Sequence, residues 1–425
     1  MTFSRATGLT VPTPRAPAVP DMVETDITAE AAITALPNED LRIELLVAED
    51  DLVAQGAPIL RSRWHPEIVL TAPMASRVVT LDFRPGRRLT MVRFLHEPRV
   101  GRHRYDVAGA EHGGSDARLR EVLQATGFWR LLRSRPFGKV PTPDERATAI
   151  FVMALDTRPL APDPRLALSG AEEDFERGLA ALLRLTEGPV FLCQPSGREV
   201  VAGGTLGDRL KTVKSGNIHP WGQAGFHIHA RCPAEIGRTV WDIGVEDVAA
   251  IGYMLRTGHV QDTRMISVAG EAMKTARLVR CQPGADLRGL TYRHVAPGPH
   301  ILLSGSPMDG REARWLGLRD RQATALHSHP RIGRRHWFAA ALERALRPLP
   351  LIPTAALDRA MGGALPTTAF LRAVSAGDSE TVVRLGGLSL LAEDLSLVDY
   401  LTGADPEQSR LFQQLLQAIE LEFKA

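Results

Sequence analysis

The stretch "ATAIFVMAL", residues 147–155, is followed by "SGAEEDFERGLAALLRLTEGPVFLC", residues 169–193. The first is an unbroken apolar run, as a strand covered on both faces requires. The second places Phe175, Leu179, Leu182 and Leu183 at the spacing of a helix with one buried stripe. "PVFLC" then returns to a short apolar run. Strand, helix and strand in that order predict an α/β layer built on a parallel sheet. Ser169 and Glu172 read as a capping box, and Gly188 as the cap that ends the helix. Further on, "GFHIHA" (225–230) reads as another strand, and "VEDVAAIGYMLRTG" (245–258) as a helix ending at Gly258.

The flanking segments have other textures. Residues 42–95 alternate apolar runs of four to seven residues with turns, which predicts an all-β module. Its order of acidic turn, "VAQGAPIL" and "TAPMASRVV" resembles half of a biotinyl/lipoyl-type hammerhead, a barrel-sandwich hybrid. Such carriers attach a cofactor to a hairpin lysine. The first of only five lysines here is Lys139, so the carrier role fails on chemistry. "SDARLREVLQATGFWRLLRSR" (115–135) has helical spacing through Leu119, Val122 and Leu123, with Gly127 as a breaker. "TRMISVAGEAMKTARLVRCQPGADLRGL" (263–290) predicts a compact β-rich module with one small helix. About 350–425 reads as helical, with Leu411, Leu415 and Ile419 on one face. The Pro-rich "VPTPRAPAVP" (11–20) predicts an extended, poorly packed start.

Composition narrows the function. The chain has 425 residues, 44% hydrophobic and 24% charged, with a net charge of +2. That length predicts several domains, and charge spread along the chain gives no electrostatic case for nucleic acid. No apolar run is long enough to cross a bilayer, and no secretory signal is visible, so the expected location is cytoplasmic. Cys193, Cys232 and Cys281 form no CxxC pair, which argues against a thiolate zinc site or a four-cysteine cluster and predicts free thiols.

"GNIHPWGQAGFHIHARCP" (216–233) carries His219, His227 and His229. On a strand, His227 and His229 would share a face, which suits a two-histidine metal site. There is no HExxH and no carboxylate at ligand spacing, and Gly222 and Gly225 point to close backbone packing. A structural, hydrogen-bonding role leads, with metal binding and acid–base work as the alternatives. "RIGRRHW" (331–337) reads as a solvated loop, or as a contact for anionic headgroups through Arg331, Arg334 and Arg335.

Three segments carry a family resemblance: "GFWRLLRSRPFGKVP" (127–141), "AIFVMALDTRPLAPDP" (149–164) and "HPWGQAGFHIHARCPAEIGRTVWDIGVEDVAAIG" (219–252). In these the chain resembles the A subunit (NqrA) family of the Na+-translocating NADH:quinone oxidoreductase. The third segment holds His219, Pro220, Gly225, His227, His229 and Trp241 as a structural motif. "GLTVP" near the start and "LPTTAFLRAVSAGDSETVVRLGGLSLLAEDLSL" near the end resemble the family more weakly.

The resemblance implies a fold like the flavin-bearing peripheral subunit of respiratory complex I, mixing α/β and α+β domains. The expected units are an extended segment (1–30), a barrel-sandwich domain (31–100), a degenerate Rossmann-like domain (101–260), a β-grasp, SLBB-like domain (261–330) and C-terminal helices (331–425). "GFWRLLRSRPFGK" has too few glycines to cradle a phosphate. "AGGTLG" (202–207) lacks a strand–turn–helix context. No tightly bound cofactor or metal is therefore expected.

The implied function is that of a non-catalytic peripheral subunit on the inner face of the cell membrane. It would dock on the membrane subunits of a sodium pump and contribute to quinone binding. Candidate quinone contacts are Phe137, Lys139, Arg135 and Trp129, with Phe128, Arg133 and the 36–42 segment "LPNEDLR" alongside. A quinone head needs an apolar surface for its ring and donors for its carbonyls. The competing classes are a divergent stand-alone binding module in another redox assembly and a metal-dependent enzyme built on the histidines. The chain departs from the family at Ser76, where the family has Gly, at "LVDYLTGADP" (397–406), which lacks the family's cysteines, and at "HSHPRIGRRHWF" (327–338).

Overall fold

The computed structural model describes residues 7–12, 23–36, 39–111, 113–197, 200, 206–328, 352–403 and 407–424. The sequence motifs at 13–20, 202–205 and 331–337 lie outside the described residues.

The apolar run at the centre of the sequence is also central in space. Ala149–Met153 is the middle strand of a five-stranded sheet, ordered Leu210–Ser215, Val190–Pro195, Ala149–Met153, Val240–Gly244 and Arg133–Arg135. The first four are parallel and the last is antiparallel. Ile150 and Val152 face one core, with helices Glu172–Leu185 and Val245–Thr257, while Ala149 and Phe151 face another. Both faces are covered, which is why the run does not alternate with polar residues.

The two helices of the first face touch through glycines. A Cβ on Gly178 would lie 2.0 Å from the Val248 carbonyl oxygen, and one on Gly252 would lie 1.7 Å from that of Asp174. The predicted helix signals are corrected at both ends. The chain runs through a 3-10 turn at Pro164–Leu168, and the helix begins at Glu172 behind Ala171, with no side-chain cap. Glu172, Glu173 and Asp174 supply negative charge to the first turn instead. After Leu185 the backbone is extended at Thr186, so Gly188 caps nothing. It is small because a Cβ there would meet the Thr148 carbonyl at 1.9 Å. Gly258 does end its helix in the left-handed region, with φ of 75°.

The largest correction is "GFHIHA". Ala224–Arg231 is a helix, not a strand. Ala224, Ile228 and Cys232 fall at i, i+4 and i+8 and pack on the sheet's second face. Phe226 turns instead toward the core of the C-terminal helices. The alternation Phe-His-Ile-His imitates a strand over four residues, but tertiary packing on both sides selects the helix.

Around this layer stand three other parts. Glu30–Thr34, Arg88–His96, Ser76–Arg84 and Leu52–Val53 form one sheet, and Ile43–Leu45, Pro58–Ser62 and Val69–Thr71 a second. They share a core of Ile43, Ile59, Val78, Val92 and Phe94. Ser76 is fully buried and donates to the Met74 carbonyl at 3.0 Å. A six-stranded mixed sheet gathers Arg264–Ala269, Arg277–Cys281, His300–Ser304, Arg311–Glu312 and Gln322–His327. Its edge strand, Glu24–Thr25, comes from the N-terminal segment and pairs in parallel with Val279 and Arg280. That part of residues 1–30 is therefore built into a sheet. The C-terminal helices pack around Phe370, Leu371, Leu395, Val398, Phe412 and Ile419. Cys193, Cys232 and Cys281 are free and buried.

Candidate functional site

The strand Arg133–Arg135 alternates its side chains across the edge of the five-stranded sheet. Ser134 turns to one side, where its hydroxyl meets Glu145 at 2.5 Å. Glu145 also accepts from the Trp241 indole at 2.6 Å. Trp241 meets Trp129 edge-on, with ring centroids 5.5 Å apart. Trp129 is fully buried and donates to the Pro141 carbonyl at 2.9 Å.

Arg133 and Arg135 turn to the other side, onto Asp242. Arg133 Nη2 lies 2.8 Å from Asp242, and Arg135 Nε 3.0 Å from it. Arg133 also pairs with Glu393, and Arg135 with Asp394 at 3.0 Å. Arg135 donates to the Ser389 carbonyl at 2.9 Å as well. Burial alone would raise the Asp242 carboxyl, but Arg133 and Arg135 outweigh it and hold it at about 2. Burial pushes Asp394 the other way, up to about 6, against the pull of Arg135. This network fastens the sheet to the C-terminal helices.

Beyond it the chain opens into a cleft of about 1030 Å³. Walls come from the barrel region, the five-stranded sheet, the six-stranded sheet and the helix Gln408–Lys424. Phe137, Lys139 and Arg133 line it, with Leu36, Glu39, Asp40 and Leu41 opposite in the same cleft. Of the two segments read from the sequence, Phe137, Lys139 and Arg133 thus share one cleft with Leu36, Glu39, Asp40 and Leu41. Phe137 has φ of 38°, rare for a residue with a side chain, and packs against the core of the C-terminal helices. Lys139 is half exposed and pairs with Glu420. Arg130 meets Glu39 at 2.7 Å.

The other two candidate contacts are not brought there. Trp129 and Arg135 expose none of their surface and do not line the cleft. Phe128 is buried too, at the wall of a smaller recess of about 110 Å³.

The histidines follow from the helix. Residues two apart on a helix point about 200° away from each other, so His227 and His229 diverge. His227 Nε2 donates to the Trp221 carbonyl at 2.7 Å. His229 turns to Gly386, where a Cβ would lie 2.4 Å from its ring. His219 Nδ1 lies 3.2 Å from the Thr157 hydroxyl, and its carbonyl accepts from Leu9 at 2.8 Å. Burial lowers His219 and His227 to about 4 each, keeping them neutral at pH 7. Pro220 follows a cis peptide bond. A Cβ on Gly225 would collide with the Asp394 carboxylate at 2.2 Å. Among the described residues, no three His, Cys, Asp or Glu side chains gather as a metal site.

Sequence reasoning missed Asp242, Glu393 and Asp394. Asp242 left a signal: one carboxylate inside the apolar run "TVWDIGV" needs buried cations. Glu393 and Asp394 left none, because their partners lie about 260 residues away.

Residues 115–260 match the family model described as the NqrA second alpha/beta domain. The A subunit of the Na(+)-translocating NADH-quinone reductase of Pasteurella multocida is 31% identical over 95% of this chain and 96% of its own length. The chain belongs to that family. Its counterpart from Actinobacillus succinogenes is 32% identical over 95% of this chain and 96% of its own. That of Marinomonas sp. is 31% identical, covering 98% of both. Among solved structures, the NAD+-reducing NiFe hydrogenase in its air-oxidized state has a TM-score of 0.38 at 14% identity, covering 69% of this chain and 62% of that one. A likeness of that degree decides nothing about the fold.

Proposed function

We propose that this chain is the peripheral NqrA-type subunit of a Na+-translocating NADH:quinone reductase complex, contacting quinone in the cleft and docking on membrane subunits. Similarity to the named reductase subunits over nearly the whole chain supports the assembly, and favours it over a stand-alone module. We place the chain on the inner face of the membrane. No helix among the described residues is long and apolar enough to cross a membrane, so attachment runs through partners. In this reading the five-stranded sheet is a degenerate Rossmann-like unit, and the six-stranded sheet a β-grasp, SLBB-like unit. The units meet near residues 30, 100, 260 and 330. The chain serves without a redox centre of its own.

One observation carries the quinone role. Phe137 and Lys139 bring an apolar ring and an ammonium to the lining of one cleft, which Leu36, Glu39, Asp40 and Leu41 also line. A quinone ring packs on the first and its carbonyl accepts from the second. Trp129 and Arg135 act behind this wall, as its support. A photoreactive quinone labels Phe137, Lys139 or residues 36–41 in the assembled complex, and excess quinone competes. No labelling in either the complex or the isolated chain leaves a docking role only.

A further inference from the structure

The cleft is rich in arginines, and nearly all are neutralised. Arg130 has Glu39, Arg133 has Asp242 and Glu393, Arg158 has Asp156 and Asp309, and Arg321 has Glu246 and Asp247. Arg319 differs. Among the described residues, no carboxylate stands within ion-pair distance of it. Its Nη2 donates to two backbone carbonyls, Arg130 at 2.9 Å and Leu132 at 2.6 Å. Its Nε is buried and has no hydrogen-bond partner. The side chain lines the cleft.

Two carbonyls fix the guanidinium in place without cancelling its charge. A carbonyl dipole satisfies one N–H, whereas a buried full charge needs an opposite charge. Of its donors, Nη2 is taken by the carbonyls and Nε is shut away, which leaves Nη1 to meet an anionic oxygen. Arg130 and Arg133 lie near it, each with its own carboxylate partner, Glu39 and Asp242, which pull on Arg319 in the opposite sense. Burial first, and the charge of Arg133 second, bring the Arg319 guanidinium down to about 10, with Asp242 and Glu39 offsetting only part of that.

We infer that Arg319 is the anchor of an anion subsite in the cleft, taking the carboxylate or phosphate of a small organic anion. The chemistry shared by the two groups is an anionic oxygen that accepts from Nη1 and offsets the charge. Phe137 and Trp315 also line the cleft and offer apolar surface to the rest of such a molecule. The subsite does not depend on quinone binding; the two functions share only the cleft.

The test uses the full-length protein and two probes, inorganic phosphate and acetate, with chloride at matched ionic strength. Isothermal titration and thermal melting should show saturable binding of phosphate or acetate, and none of chloride. The stronger probe identifies the head group. Arg319→Gln should weaken that binding tenfold or more, while Arg311→Gln, on the exposed cleft rim, should leave it unchanged. Arg319→Lys keeps the charge but loses the carbonyl contacts that hold the guanidinium in place, and should fall between. If Arg319→Gln does not fold, the parent protein still decides the matter. Phenylglyoxal should modify Arg319 ahead of Arg130 and Arg133, and phosphate or acetate should protect it. Equal anion binding by Arg319→Gln, absence of saturable binding by both probes, or modification without protection would overturn the subsite. Quinone labelling of Phe137 and Lys139 is read separately in the same samples, so failure of one leaves the other standing.

Discussion

The two faces of the five-stranded sheet are held in opposite ways. On one, helices Glu172–Leu185 and Val245–Thr257 meet through Gly178 and Gly252, and the layer between them and the sheet is apolar. On the other, a short helix carries His227 and His229, and the C-terminal helices are tied on by Arg133, Arg135, Asp242, Glu393 and Asp394. The first face is fixed by shape, while the second adds ion pairs and histidine contacts to an apolar core of its own. A contact made of shape tolerates pH and salt and fails on added volume. A contact made of buried charges and neutral histidines tolerates volume at its edges and fails when one partner is lost or protonated.

The sharpest break should come at Asp242. Asp242→Ala strands two guanidiniums against the C-terminal helices and should cost about 3–5 kcal/mol in a urea titration. A loss below about 1 kcal/mol, the level of an exposed pair, would mean that the ion pairs hold nothing. On the other face, Gly252→Ala forces a methyl into the Asp174 carbonyl and should cost about 1–3 kcal/mol, with no change in pH dependence.

His227→Ala leaves the Trp221 carbonyl buried without its donor, a loss of about 1–3 kcal/mol by thermal melting. Metal content should stay unchanged. The histidines also set a pH window. His219 and His227 sit near 4 in the folded chain and at about 6.5 when unfolded, so the unfolded state binds more protons between those values. Their stabilisation is complete above about pH 6.5 and is lost as pH falls toward 4. Asp394, raised to about 6, runs in the opposite sense and recovers part of that loss. His227→Gln should flatten the fall, whereas Gly252→Ala should leave its slope alone. The smallest effect belongs to Lys139→Met. Its half-exposed pair with Glu420 is worth about 0–1 kcal/mol, so stability should hardly move while quinone labelling drops.

What was legible in the sequence follows the same division. The first face could be read from Phe175, Leu179, Leu182 and Leu183, because an apolar stripe is written at local spacing. The strands Ala149–Met153 and Val190–Pro195 were legible for the same reason. The second face was misread. Four residues of alternation at 226–229 fit a strand, and the helix is imposed by contacts with Phe370 and its neighbours more than a hundred residues on. The close helix contact through Gly178 and Gly252 was missed, because a glycine inside a helix reads only as a weak position. In the site, Phe137 and Lys139 were grouped in the sequence with residues 36–42, and the two share a cleft with Leu36, Glu39, Asp40 and Leu41. Trp129 and Arg135 were not separated from them, since spacing along an irregular strand edge does not say which side chains stay inside.

The first residues of the chain carry a consequence for its synthesis. Leu9 pairs with His219, Thr7 donates to the Gly362 carbonyl, and Glu24 and Thr25 pair with Val279 and Arg280. Thr7 leaves the ribosome 355 residues ahead of its partner, a wait of about 20–70 s at roughly 5–20 residues per second. The opening segment therefore cannot fold as it emerges. It stays untied until the second half of the chain is made, and a chaperone or a neighbouring protein of the assembly has that interval in which to hold it.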